Sequence, residues 1–133
     1  MSDYAKPLPP DDPANRPFWE GAKRGVLMLQ RCLDCNRHRF PAARYCTHCR
    51  VERSEWVATS GAGVVESYCT FHRAYWPAFA PDVPYDVVQV KLDEGVRLFS
   101  NLVGGKVRTG MRVRARFDPV TPAVTLVKFV PAE

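Results

Sequence analysis

No stretch of this sequence approaches the ~20 consecutive apolar residues that a membrane-spanning helix needs, and its opening residues, MSDYAKPLPPDDPANRP, contain no hydrophobic signal core. The expectation is a cytoplasmic protein with reduced thiols. Familiar catalytic signatures are also missing: no phosphate-cradling glycine-rich loop, no His-x-x-x-His of the His-Glu type and no Gly-x-Ser-x-Gly. Histidine is scarce, with three in 133 residues, whereas an activated nucleophile needs a base and an orienting group within reach. His38 and His48 fall inside a cysteine-rich stretch, where solvated side chains are expected. His72 stands at a strand end beside an aromatic loop, and is a candidate for lining a partner's active site. A chain that does no chemistry alone is the expectation.

Cysteine, by contrast, is concentrated. Four of the five lie in CLDCNRHRFPAARYCTHC, as the pairs Cys32/Cys35 and Cys46/Cys49. A two-residue gap lets two thiolates from one tight turn reach the same ion at about 2.3 Å, and a second such turn completes a tetrahedron with no open position. Such a site is structural. Zinc is the first choice; a single redox iron is the other occupant that four thiolates suit, and it would colour the protein. Disulfides need an oxidising compartment. The residue after each second cysteine, Asn36 and Arg50, occupies a place where such turns often require a left-handed backbone. Asn tolerates that conformation and Arg tolerates it poorly. The fifth cysteine, Cys69, lies in a strand-like run and is expected to be a buried small side chain.

The formal net charge is +5, and the excess is local. Within residues 23–53, Lys23, Arg24, Arg31, Arg37, Arg39, Arg44, Arg50 and Arg53 face only Asp34 and Glu52. Part of this excess neutralises a thiolate cluster; the rest can attract phosphate. The chain is long enough for a compact domain carrying a small module, and a ribbon of about 30 residues needs its metal to fold.

In order, residues 1–14 are proline-rich and acidic and read as a flexible arm or a tail that holds a partner. Residues 15–25 form a short helix, with Asn15 as cap, Pro17 in its first turn and Gly25 as its stop. Two turns do not stand alone in water, so Phe18 and Trp19 must bury against the ribbon, the main domain or a partner. Residues 26–59 make the zinc ribbon, entered by a strand at 26–31 and left by one at 55–59. Residues 60–133 read as all-β, with strands near 62–72, 85–92, 96–103, 111–118 and 124–130. Asp93-Glu94-Gly95 is a hairpin turn with Gly at a positive φ. The fourth strand sets Met111, Val113, Ala115 and Phe117 against Arg112, Arg114 and Arg116 on its other face. The fold class expected is mainly β: a short N-terminal helix, a four-cysteine ribbon and a five-stranded OB barrel, with a short sandwich as the alternative.

The long connection HRAYWPAFAPDVP holds Tyr75, Trp76 and Phe79 among prolines. Three large aromatics in a loop imply contact with the barrel or with another molecule, unless the loop packs on its own side chains.

Taken together, Phe18-Trp19-Glu20-Gly21, Gln30-Arg31-Cys32, Arg39-Phe40-Pro41, Trp56, Gly61-Ala62-Gly63-Val64, Pro84-Tyr85 and Asp93 to Arg97 resemble the rubredoxin-like zinc ribbon plus OB-fold proteins of domain-of-unknown-function family 35, described as acyl-CoA-associated. The likeness runs from about residue 15 to the end. It implies an accessory subunit that binds and stabilises a thiolase-superfamily enzyme, either a thiolase or a lipid-transfer-protein-like retro-aldolase of steroid side-chain degradation, with acyl-CoA at the complex and one structural Zn2+. Under that reading Arg37, Arg39 and Arg44 are candidates for CoA phosphate. Phe18, Trp19, His72, Tyr75, Trp76 and Phe79 are candidates for the partner or channel contact.

Two rival classes make different demands. A single-stranded nucleic-acid binder sets exposed aromatics between basic residues on the barrel face, whereas here the aromatics cluster in a loop and Arg112, Arg114 and Arg116 have no aromatic partner on their own face. A rubredoxin-like electron carrier requires iron and a reversible one-electron couple.

Overall fold

The computed structural model describes residues 4–132; residues 1–3, at the tip of the expected arm, and residue 133 lie outside the described residues. A 3-10 turn over Pro13–Asn15 leads into α1, Arg16–Lys23. The cap differs from the one expected. Asp12 caps the 3-10 turn by accepting from the Ala14 amide at 3.0 Å, while Asn15 makes no capping bond to α1. Because the 3-10 turn already precedes the helix, the Asn15 side chain is released for other partners. Its Oδ1 accepts from the Ala42 amide in the ribbon at 3.1 Å, and its Nδ2 donates to Asp12. Gly25, at φ 79°, ends the segment as expected. A side chain at Gly21 would meet Met28 Cγ at 2.3 Å, so α1 lies directly on the first strand.

The ribbon sheet has β1 (Met28–Cys32) at its centre, flanked by β2 (His38–Arg39) and β3 (Ser54–Ala58), all antiparallel. Then come β4 (Ala62–Phe71), β5 (Tyr85–Leu92), β6 (Arg97–Leu102), β7 (Arg112–Pro119) and β8 (Thr125–Pro131), closed in the order β4-β5-β6-β8-β7. One parallel contact, Leu102 opposite Phe129, joins β6 to β8. Closure in this order is the OB arrangement, and it removes the free sheet edges that an open five-stranded sheet would expose. β4 serves both neighbours: its first residues pair with β7 and its whole length with β5, across a bulge between Val65 and Ser67. Gly63 permits this crossing, since a Cβ there would sit 2.6 Å from the Lys91 carbonyl oxygen. Gly95, at φ 93°, turns the β5–β6 hairpin.

Alternation places the core. Met111, just before β7, and Val113 on it are buried while Arg112, Arg114 and Arg116 face outward. Val65, Val88, Val90, Leu92, Leu98, Leu102 and Phe129 fill the barrel. The same apolar cluster continues through Phe18 into Leu27 and Leu29 of the ribbon, so ribbon, helix and barrel share one core. Cys69 corrects the expectation: it is exposed, not buried. Beyond the bulge, residues 67–70 of β4 lose β7 as a neighbour and all are open to solvent. Among the described residues no helix is long and apolar enough to cross a membrane.

Candidate functional site

The two cysteine turns are built alike. In the first, the Asn36 amide donates to the Cys32 carbonyl at 3.0 Å and the Cys32 amide to the Arg37 carbonyl at 2.9 Å. In the second, the Arg50 amide donates to the Cys46 carbonyl and the Cys46 amide to the Val51 carbonyl, both at 2.9 Å. Asn36 and Arg50 take φ values of 63° and 65°. Arg50 therefore adopts the conformation that arginine tolerates poorly, and the two hydrogen bonds around it hold it there.

These turns bring the four sulfurs within 4.8 Å of one another. Cys32 and Cys49 are 3.4 Å apart and Cys35 and Cys46 are 3.6 Å apart, close to the ~3.8 Å edge of a tetrahedron with 2.3 Å metal–sulfur bonds. The His48 and Cys49 amides point at Cys46 Sγ at 3.4 and 3.5 Å. Backbone hydrogen bonds from Cys49 and then His48 pull the Cys46 thiol down to about 6. For Cys49, a lowering bond from the Val51 backbone is outweighed by burial and by the neighbouring sulfurs, which push it up to about 12. Four sulfur donors in this geometry fit a single soft or borderline metal ion and leave it no open position.

The basic residues around the centre differ in what they are free to do. Arg39 is committed: its Nε donates to Gln30 Oε1 at 2.9 Å and its Nη2 to the Ala43 carbonyl at 2.8 Å. Arg44 pairs with Glu52 at 2.9 Å and lies over the Tyr45 ring. Arg37 is exposed, beside His38 and His48 in a cleft of about 430 Å³ that the β5–β6 hairpin closes with Glu94 and Gly95.

The aromatic loop divides in two. Phe79 folds back, its ring 5.9 Å from that of Tyr85, which stacks on Phe71 at 5.2 Å with the planes 9° apart. Tyr75 meets the edge of Phe71 at 6.1 Å, carries the Arg73 guanidinium 5.1 Å from its ring centre, and remains 70% exposed; Trp76 is 54% exposed. His72 is exposed where β4 runs into this loop. Phe18 is buried at 6% exposure, 4.9 Å from both Trp19 and Phe40. Trp19 is half-buried on the edge of that cluster. Sequence reasoning missed Phe99, which at 73% exposure stands out from β6; the two-residue period that turns Leu98 and Leu102 inward was the available signal. It also missed the anchors Phe71 and Tyr85.

Family models match over most of this architecture: the ChsH2 rubredoxin-like zinc ribbon domain over residues 19–55 and the ChsH2 C-terminal OB-fold domain over residues 56–118. A DUF35 domain-containing scaffold protein of Methanocaldococcus jannaschii is 34% identical over 104 residues, covering 74% of this chain and 73% of that protein. The chain belongs to the DUF35 family, with the ribbon and OB domains of ChsH2. Among solved structures, a chain of the "Ltp2-ChsH2(DUF35) aldolase" superposes with a TM-score of 0.84 at 37% identity, covering 95% of this DUF35 chain and all of that one. A probable enoyl-CoA hydratase alpha subunit of Thermomonospora curvata is 40% identical over 133 residues, 96% of this chain. A 3-oxo-4,17-pregnadiene-20-carboxyl-CoA hydratase alpha subunit of Mycobacterium tuberculosis is 33% identical over 103 residues, 75% of this chain. The DUF35 chain spans 41% and 32% of the lengths of these two hydratase subunits.

Proposed function

We propose that this chain is a zinc-binding accessory subunit, without catalysis of its own, that binds and stabilises a thiolase-fold enzyme acting on acyl-CoA thioesters. The partner is a thiolase or a retro-aldolase of steroid side-chain degradation. The observation that carries this reading is the end-to-end likeness to the DUF35 chain of an aldolase assembly. The two hydratase relatives, both named for CoA thioesters, favour an acyl-CoA substrate for the complex. A metal ringed by four sulfurs has no position for substrate, so its chemistry is to fold the ribbon.

Zinc is the proposed occupant, because a closed thiolate tetrahedron suits it and needs no redox partner. Of the three arginines first considered for CoA phosphate, Arg37 keeps that role best, since Arg39 and Arg44 are already engaged within the chain. Tyr75 and Trp76 are proposed as partner contacts, with His72 beside them, and Phe79 as their support. Phe18 acts by packing in the shared core, and Trp19 borders it. The ribbon at 26–59 and the barrel at 60–133 are proposed to act as one rigid scaffold on the partner.

The test is co-expression with a thiolase-fold enzyme from the same genome. The reading expects co-elution of the two chains, with one zinc per copy of this chain and no visible absorption band. A colourless but metal-free chain, or two proteins that elute separately at micromolar concentration, would overturn it.

A further inference from the structure

The N-terminal arm is proline-rich, with Pro7, Pro9 and Pro10 before the first turn, and proline restricts such a segment to extended conformations before it meets a surface. Little conformational entropy remains to be lost when it docks. Among the described residues of the arm, Lys6 has two partners in the aromatic loop. The ammonium forms an ion pair with Asp82 and lies 5.3 Å from the centre of the Phe79 ring, within cation–π range. Both partners belong to the 3-10 segment Pro77–Asp82 of the aromatic loop. The hydrogen bond to Asp82 also raises the Lys6 ammonium above its ordinary value, against a smaller opposing effect of burial.

From Phe79 the contacts continue through Tyr85 and Phe71 to Tyr75. The Phe79 amide donates to the Trp76 carbonyl at 2.9 Å, closing the turn that carries Trp76. A cleft of about 460 Å³ is lined by Lys6 and Pro7 of the arm, by Phe79 and Asp82 of the loop and by Asn101 and Lys128 of the barrel. The loop thus borders open space at this point. Its outer half is held by the base of the aromatic stack on one side and by Lys6 on the other.

We propose that Lys6 is a positioning residue for the docking surface: by clasping Asp82 and Phe79 it holds the loop so that Tyr75 and Trp76 project in one fixed arrangement. The inference rests on the proposed docking role of those two rings, but its test uses the free chain and so stands apart from the identity of the partner. Preorganising the loop before encounter reduces the ordering cost that association would otherwise carry.

The experiment is amide hydrogen exchange on the intact metal-loaded protein, comparing wild type, Lys6→Ala, Lys6→Arg and Asp82→Ala, with the Val90 amide in β5 as the reference. Loss of an exposed ion pair together with a cation–π contact corresponds to roughly a tenfold change in a local opening equilibrium. Lys6→Ala is expected to speed exchange at the Phe79 amide by about that factor and Asp82→Ala, which removes the ion pair alone, by a smaller one, both leaving Val90 exchange and metal content unchanged. Lys6→Arg, which keeps both contacts available, is expected to restore protection. Unchanged Phe79 exchange in Lys6→Ala overturns the proposal. So does an equal acceleration at Phe79 and Val90, which would make Lys6 a general stabiliser, or a failure of Lys6→Arg to rescue.

Discussion

Arg39 Nε donates to Gln30 Oε1 at 2.9 Å across the rung where β2 pairs with β1. The same oxygen accepts from the Ala43 amide at 2.8 Å, and Arg39 Nη2 closes the circuit on the Ala43 carbonyl. A buried amide, 9% exposed, thus ties the stretch between the two cysteine turns back to the central ribbon strand. Gln30→Ala strands an arginine Nε and a backbone amide at once. It is expected to cost about 1–3 kcal/mol, measured by denaturant unfolding of the metal-loaded protein. Arg37→Ala, at an exposed side chain, is expected to stay within about 0.5 kcal/mol.

Phe18 joins α1 to the ribbon and the barrel in a single cluster. Phe18→Ala removes a ring that is only 6% exposed and is expected to cost about 3–5 kcal/mol. Because the core is shared, near-ultraviolet circular dichroism and barrel amide exchange should report the same loss. Unfolding of the ribbon with full retention of barrel stability would show instead that the two halves are independent.

Local features were legible before the fold was known. The metal centre was readable because its ligands lie within a few residues of each other and each turn is closed by its own backbone. The barrel strands were readable because a half-buried strand alternates, as 111–118 does around Met111 and Val113. What escaped depends on distant partners. Asn15 looked like a helix cap, but its oxygen is taken by the Ala42 amide. Cys69 looked buried because it lies in a strand-like run, but burial there depends on a bulge that removes one neighbour. Arg50 looked unsuited to a left-handed turn, yet the knuckle bonds impose it. The Lys6–Asp82 clasp leaves no local pattern at all.

Asp93 accepts two hydrogen bonds from Arg112, at 2.9 and 3.1 Å. That bonding holds its carboxyl below the usual range, with partial desolvation opposing. A carboxylate lowered in the folded state adds stability above its unfolded value of about 3.9 and loses it as pH falls through the lower folded value. A carbon-13 titration of the Asp93 carboxyl should therefore find a midpoint below that of a free aspartate, and Arg112→Ala should move it upward. A midpoint unaffected by Arg112→Ala would remove the ion pair from the account.

The central claim, that this chain is a scaffold and another subunit does the chemistry, is tested most directly by assaying the proposed thiolase-fold partner on an acyl-CoA thioester with and without this chain. The account expects no turnover by this chain alone, a partner that is insoluble or inactive alone, and activity when the two are combined. Full activity of the partner in the absence of this chain, or turnover by this chain by itself, would contradict it.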